Sequence, residues 1–209
     1  MRALSRLNLI DKKINYDSSK KSAIETLLDV FFESKSVTLH IQVPYYDLLR
    51  GKVFISDLEA IIGQELKDFS VEDLFALLYE DFLRQIRKGA DLQQIARWLM
   101  ALKERYKEDD SEEVSDFVQR TDYSFELVTR DQQKSTKREN RPTDVLISIN
   151  RKLAERGEIL LFDLTNLEDD FDLTLEEFMS IRYQDFMREV KAGNERVVKA
   201  VISNLKRQS

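Results

Sequence analysis

Gly51-Lys52-Val53-Phe54-Ile55-Ser56-Asp57-Leu58 and Gly157-Glu158-Ile159-Leu160-Leu161-Phe162-Asp163-Leu164 read as one phrase written twice, 106 residues apart. At a spacing of 104, Val71-Glu72-Asp73-Leu74 and Tyr79-Glu80-Asp81-Phe82-Leu83-Arg84 stand against Leu175-Glu176-Glu177-Phe178 and Tyr183-Gln184-Asp185-Phe186-Met187-Arg188, and Gly89 against Gly193. At a spacing of 103, Ile95, Trp98, Leu99 and Leu102 stand against Val198, Val201, Ile202 and Leu205. Any two amphipathic helices match at apolar positions. The shared Tyr-x-Asp-Phe-x-Arg and the paired glycines go beyond that, so the sequence predicts an internal duplication, and self-similarity of this kind sets architecture before any local reading.

Outward from these blocks, helical spacing covers Ser22 to Phe32 through Ala23, Ile24, Leu27, Leu28 and Phe31. Val37 to Val43 alternates and is β-branched, a strand that Pro44 ends. A short helix over Tyr45 to Leu49 and an extended piece at Val53 to Ile55 come next. Ser70 to Lys88 is a helix opened by a Ser70–Asp73 capping box, with Val71, Leu74, Leu78, Phe82 and Ile86 inward and Gly89 as its stop. Another helix follows to Tyr106, with Leu92, Ile95, Leu99 and Leu102 inward. Tyr123 to Thr129 reads as a strand. Pro142 opens a helix carrying Val145, Ile149 and Leu153, Ile159 to Phe162 is extended, and Thr174 to Val190 and Glu195 to Leu205 are helices, the first with a Thr174–Glu177 capping box.

The resulting expectation is a predominantly helical α+β protein of two related units, each with a short strand and several helices. Its divisions are an N-terminal extension (1–20), a first unit (21–106), an acidic connector (107–116) and a second unit (117–206) holding a basic loop (130–141). Five glycines and two prolines argue against a turn-rich barrel or sandwich.

With 42% hydrophobic and 34% charged residues, the composition fits a folded, water-soluble chain. No cysteine means no disulfide frame, thiolate metal site or cysteine nucleophile. No secretory leader and no membrane-length apolar run is legible, so the expectation is a cytoplasmic protein without membrane contact. A net charge of −6 works against generic attraction to nucleic acid.

The lone histidine, His40, falls on the strand face opposite Leu39 and Ile41, a surface position rather than a general base with placed partners. Glu168, Asp169, Asp170 and Asp172 suit a hard cation in type, but lack the central glycine and alternate spacing of a calcium loop, and Gln64, Glu65 and Asp68 stand there in the first unit. No phosphate-binding glycine loop or common catalytic signature is present. The expectation is therefore no catalytic residue, no metal site and no cofactor.

Ile147 to Leu164, read as a helix running into Gly-Glu-Ile-Leu-Leu-Phe-Asp-Leu, resembles the opening of a winged-helix domain. That resemblance implies a helix, a short strand and a further helix, as in tandem winged helices of transcription regulators and of accessory subunits of chromosome-organising complexes. The chain departs from the pattern in lacking a basic recognition helix, because Thr174 to Val190 is net acidic. Leu173-Thr-Leu-Glu-Glu-Phe-Met is similar to acidic helical assembly chaperones of phage tails.

The expected function is a non-enzymatic adaptor or regulator that binds another protein through duplicated helical surfaces. Phe75, Leu83 and Met179, lying off the main inward stripe, are its candidate contacts. One alternative is a nucleic-acid-binding regulator using Lys134, Lys137, Arg138 and Arg141. The other is a metal-dependent enzyme built on carboxylates. Partner identity and oligomeric state are not legible.

Overall fold

The computed structural model describes residues 4–12, 34–63, 66, 68–108, 114–121, 124–130 and 141–205, with the side chains of 107–130 left aside. The expected helix at Ser22 to Phe32 and most of the basic loop lie outside these residues.

Val37, Leu39, Ile41 and Val43 alternate with exposed neighbours along strand β1 (Ser36–Pro44), the period of a sheet with one covered face. Its antiparallel partner is β4 (Pro142–Asn150), whose Val145, Ile147 and Ile149 alternate in the same way. This corrects the helix expected from Pro142. Val145, Ile149 and Leu153 do share a helical spacing, but a paired strand 106 residues earlier satisfies the β4 backbone instead.

The register carries more information than the pairing. His40 lies opposite Leu146, and those two positions are themselves 106 residues apart. Every flanking pair is then reciprocal, Thr38 with Ser148 and Gln42 with Asp144. The ladder therefore has a local two-fold axis between His40 and Leu146 that relates positions 106 residues apart. The sheet is closed at both ends by matching bonds, Tyr45 N–H to Arg141 C=O (3.0 Å) and Arg151 N–H to Lys35 C=O (2.9 Å).

After each strand come three helices: α1 (Tyr45–Ile62), α2 (Val71–Arg87) and α3 (Leu92–Glu108) after β1, then α4 (Arg151–Thr165), α5 (Leu175–Lys191) and α6 (Glu195–Leu205) after β4. Between the two sets, β2 (Val114–Thr121) pairs with β3 (Ser124–Arg130). The chain is thus predominantly helical with small antiparallel sheets, an α+β protein. Strand β2 takes in residues 114–116 of the stretch read as an acidic connector.

Gly51 and Gly157 lie inside continuous helices, which corrects the extended pieces expected at Val53 to Ile55 and Ile159 to Phe162. It also removes the winged-helix reading of Ile147 to Leu164, which is the end of a strand followed by one unbroken helix. The β-branched residues there prefer strands only weakly, and packing overrides that preference.

The two capping boxes form as expected. Asp73 N–H donates to Ser70 Oγ (3.2 Å) and Glu177 N–H to Thr174 Oγ1 (3.3 Å), with the acid of each box accepting from the cap N–H at 2.8 Å. Gly89 and Gly193 follow α2 and α5 with φ of 88° and 70°, a left-handed conformation that ends each helix.

Packing crosses between the halves. Helix α2 lies on β4 and α5 lies on β1. Each half's second helix thus covers the other half's strand, and one hydrophobic core draws on both. That interlock explains why α5 is buried nearly all round, from Leu175 and Phe178 to Ile181 and Met187. It also corrects the placement of Phe75, Leu83 and Met179. All three are buried, because α2 and α5 are wedged between sheet and sister helices rather than lying on a surface.

Candidate functional site

Each half is locked to the other by a tyrosine laid against a glycine. The Tyr79 hydroxyl donates to the Leu153 carbonyl (2.7 Å), and the Tyr183 hydroxyl to the Asp47 carbonyl (3.1 Å). Each carbonyl sits one helical turn before a glycine, Gly157 or Gly51. A methyl group at either glycine would overlap the facing phenol oxygen and come within 3.2 or 3.1 Å of its Cζ. Glycine in mid-helix is here the condition for the ring's close approach. Burial pushes both phenols well above the ordinary tyrosine range, with Glu158 acting in the same direction on Tyr79 and Asp47 on Tyr183.

Aromatic contacts complete the lock. Phe75 stacks on Tyr183 at 4.1 Å, Phe82 meets Phe178 at 4.7 Å and Phe54 meets Phe186 edge-on at 5.3 Å. The recurring Asp-x-x-Arg pairs close locally, Asp81–Arg84 at 3.9 Å and Asp185–Arg188 at 2.9 Å. Asn204 bridges Asp81 and Arg84 at 3.1 Å each. The Tyr-x-Asp-Phe-x-Arg phrase is thus used for packing between the halves.

Residues 4–10 of the N-terminal segment bond to the second half. Leu175 N–H donates to the Leu4 carbonyl (2.8 Å) and Arg6 N–H to Glu176 Oε1 (3.0 Å). The buried Glu158 carboxylate accepts from the Ser5 hydroxyl, from Leu9 N–H (3.1 Å) and from Ile10 N–H (2.9 Å). A buried carboxylate holding three donors is satisfied without a cation. On the first half, the equivalent place is a pocket of about 420 Å³ bounded by α1, the start of α2 and β4.

Two pairs of exposed apolar residues fall at the same spacing. Val53 and Ile159 are both exposed, as are Ile61 and Leu167, each pair 106 residues apart. Helical periodicity singles out inward residues, so these outward positions were missed. The available signal was that apolar side chains recur at matched places beyond the shared core stripe.

Arg141 is exposed, while Lys134, Lys137 and Arg138 lie outside the described residues. His40 is exposed on the outer face of β1. In the acidic cluster, Glu168 accepts from Arg97 Nε (2.7 Å) and Asp172 pairs with Lys103, so these carboxylates are engaged by side-chain cations of α3. Among the described residues, no three His, Asp or Glu side chains converge as metal ligands. Trp98 stands at the rim of α3 with the Arg182 guanidinium 5.1 Å from its ring centre. Burial lowers the Arg182 pKa, opposed by Asp185 and Asp81. Among the described residues, no helix is long and apolar enough to cross a membrane.

No family model, curated protein or solved structure matches the chain.

Proposed function

We propose that the chain is a tandem duplication acting as a non-enzymatic, cytoplasmic adaptor, and that it binds another protein through matched outward surfaces, one on α1 and the other on α4 and the turn that follows it. The observation that carries this is the pairing of exposed apolar residues across the axis. Val53 and Ile159 are 61% and 52% exposed, and Ile61 and Leu167 are 69% and 45% exposed. Single exposed apolar residues are ordinary on a protein surface. Four of them at two matched places are the surface that a two-fold or repeated partner would meet twice. Two weak contacts of this kind combine through effective concentration. These residues take the role first read onto Phe75, Leu83 and Met179, whose side chains are committed to the core.

The test is capture of the tagged protein from its native lysate, with and without nuclease, beside Val53→Asp, Ile159→Asp and the double variant. A stoichiometric protein that survives nuclease, weakens with either single change and disappears with both supports the adaptor. A partner set unchanged in the double variant overturns it. Partners lost on nuclease treatment would instead favour the nucleic-acid reading through Lys134, Lys137, Arg138 and Arg141.

A further inference from the structure

The contacts that hold the fold run from one half to the other. Strand β1 pairs with β4, α2 covers β4 and α5 covers β1. Helix α3, the last helix of the first half, packs mainly on α4 and α5 of the second, where Arg97 meets Glu168 and Lys103 meets Asp172. Even residues 4–10, near the start of the chain, give their donors to Glu158 and Glu176. A half on its own is therefore incomplete. Its strand has no ladder and its tyrosine hydroxyl has no carbonyl. In the second half, the buried Glu158 carboxylate also loses the three donors that offset its burial. The described part of the connection, the hairpin of β2 and β3, is a sheet of its own and adds no strand to β1 and β4.

We infer that the surface joining the halves is also an interface for a second copy of this chain, reached by exchange of halves. The first half of each molecule then pairs with the second half of the other. Each contact named above joins one half to the other, so each forms between molecules with the same partners: β1 on β4, Tyr79 on Leu153 and Gly157, Tyr183 on Asp47 and Gly51. The exchanged dimer gives up none of them, which makes exchange a low-cost route to a dimer. Lobes with cores of their own would have no need of a second copy, whereas here one core is shared. What opposes exchange is effective concentration. The chain between α3 and β4 holds the halves of one molecule near each other at about millimolar, so the closed monomer wins at micromolar protein and exchange gains as the concentration approaches that value. This interface stands apart from the exposed Val53 and Ile159 positions, and either proposal can fail alone.

The probe is the full chain in two forms, one carrying His40→Cys and the other Leu146→Cys, positions that lie opposite each other in the ladder. The chain has no cysteine of its own, so each form holds a single thiol. The two are mixed, unfolded in urea, refolded together at a series of concentrations from about 10 µM to about 1 mM, and mildly oxidised. The expected result is a disulfide-linked dimer that is scarce at the lowest concentration and rises toward the highest. The off-register pair of His40→Cys with Ser148→Cys should stay largely unlinked throughout. Adding Tyr79→Ala to the His40→Cys chain and Gly157→Leu to the Leu146→Cys chain should bring the rise to a concentration about tenfold lower. Exchange then restores one native lock, Tyr79 on Gly157, and sets the side chain introduced at 157 into the space the other phenol vacates. A linked yield that does not rise with concentration overturns the proposal, as does equal linking of the Ser148→Cys pair. If the lock variants fail to fold, the series without them decides alone. If they fold and the rise does not move, the proposal is overturned as well.

Discussion

Gly157→Ala reverses sign depending on whether the tyrosine lock is real. In an isolated helix interior, Gly to Ala stabilises by about 1 kcal/mol. Here the new methyl meets the Tyr79 hydroxyl and lies 2.8 Å from Leu175 Cδ1. Overpacking a tight interior costs about 1–3 kcal/mol. Displacing the phenol also gives up its hydrogen bond to Leu153, a net loss of about 1 kcal/mol. Set against the helix gain, the balance is a destabilisation of about 2 kcal/mol. For a chain of this size that lowers Tm by about 4–8 °C. Tyr79→Phe alone should cost about 1 kcal/mol, the value of its hydroxyl bond. The double variant should cost little more than Tyr79→Phe, because the atom the methyl strikes is gone and Leu175 Cδ1 is a flexible tip. The assay is urea unfolding of the four proteins at constant m, read as a double-mutant cycle. A Gly157→Ala protein more stable than wild type, or costs that simply add, would refute the reciprocal packing.

Two further expectations follow from the same geometry. Of the seven tyrosines, Tyr79 and Tyr183 should stay protonated in a spectrophotometric titration until the protein unfolds. Their folded pKa values lie above the unfolded one, so their contribution is fully present below about pH 10 and is lost as pH rises beyond it; early ionisation of all seven would contradict this. Gly89→Ala and Gly193→Ala should each cost about 1–2 kcal/mol in urea unfolding. Their Cβ atoms would meet nothing within 4 Å, so only the positive φ is at stake, and unchanged stability in both would contradict the left-handed helix ends.

What could be read from the chain was what neighbours in sequence decide. Ser70 with Asp73 and Thr174 with Glu177 announce helix starts because the cap is closed within three residues. Val37 to Val43 announces a strand because alternation and Pro44 agree. At β4, Val145 and Ile149 suit a helix while Val145, Ile147 and Ile149 suit a strand, and the deciding partner is β1, far away in the chain. Gly51 and Gly157 looked like breaks because a glycine in an apolar run usually is one. Their purpose is a tyrosine from the other half, far away in the chain and brought close only by the fold: Tyr79 with Gly157, Tyr183 with Gly51. The burial of Phe75, Leu83 and Met179 has the same origin, since a helix that covers a strand of the other half needs more than one inward stripe. The seat of residues 4–10 was illegible for a further reason, since it depends on tertiary contacts alone.

The proposed duplication requires two matched halves to meet about an axis between His40 and Leu146. The chain has no cysteine, so a pair introduced as His40→Cys with Leu146→Cys can be oxidised without competition. Directly opposed residues in an antiparallel pair lie within disulfide reach. The measurement is the fraction of monomer carrying an internal disulfide under mild oxidant, compared with the off-register pair His40→Cys and Ser148→Cys. The account predicts near-complete intramolecular bonding for the first pair and little for the second. Equal reactivity, or bonding only between molecules, would contradict the register and with it the matched surfaces built upon it.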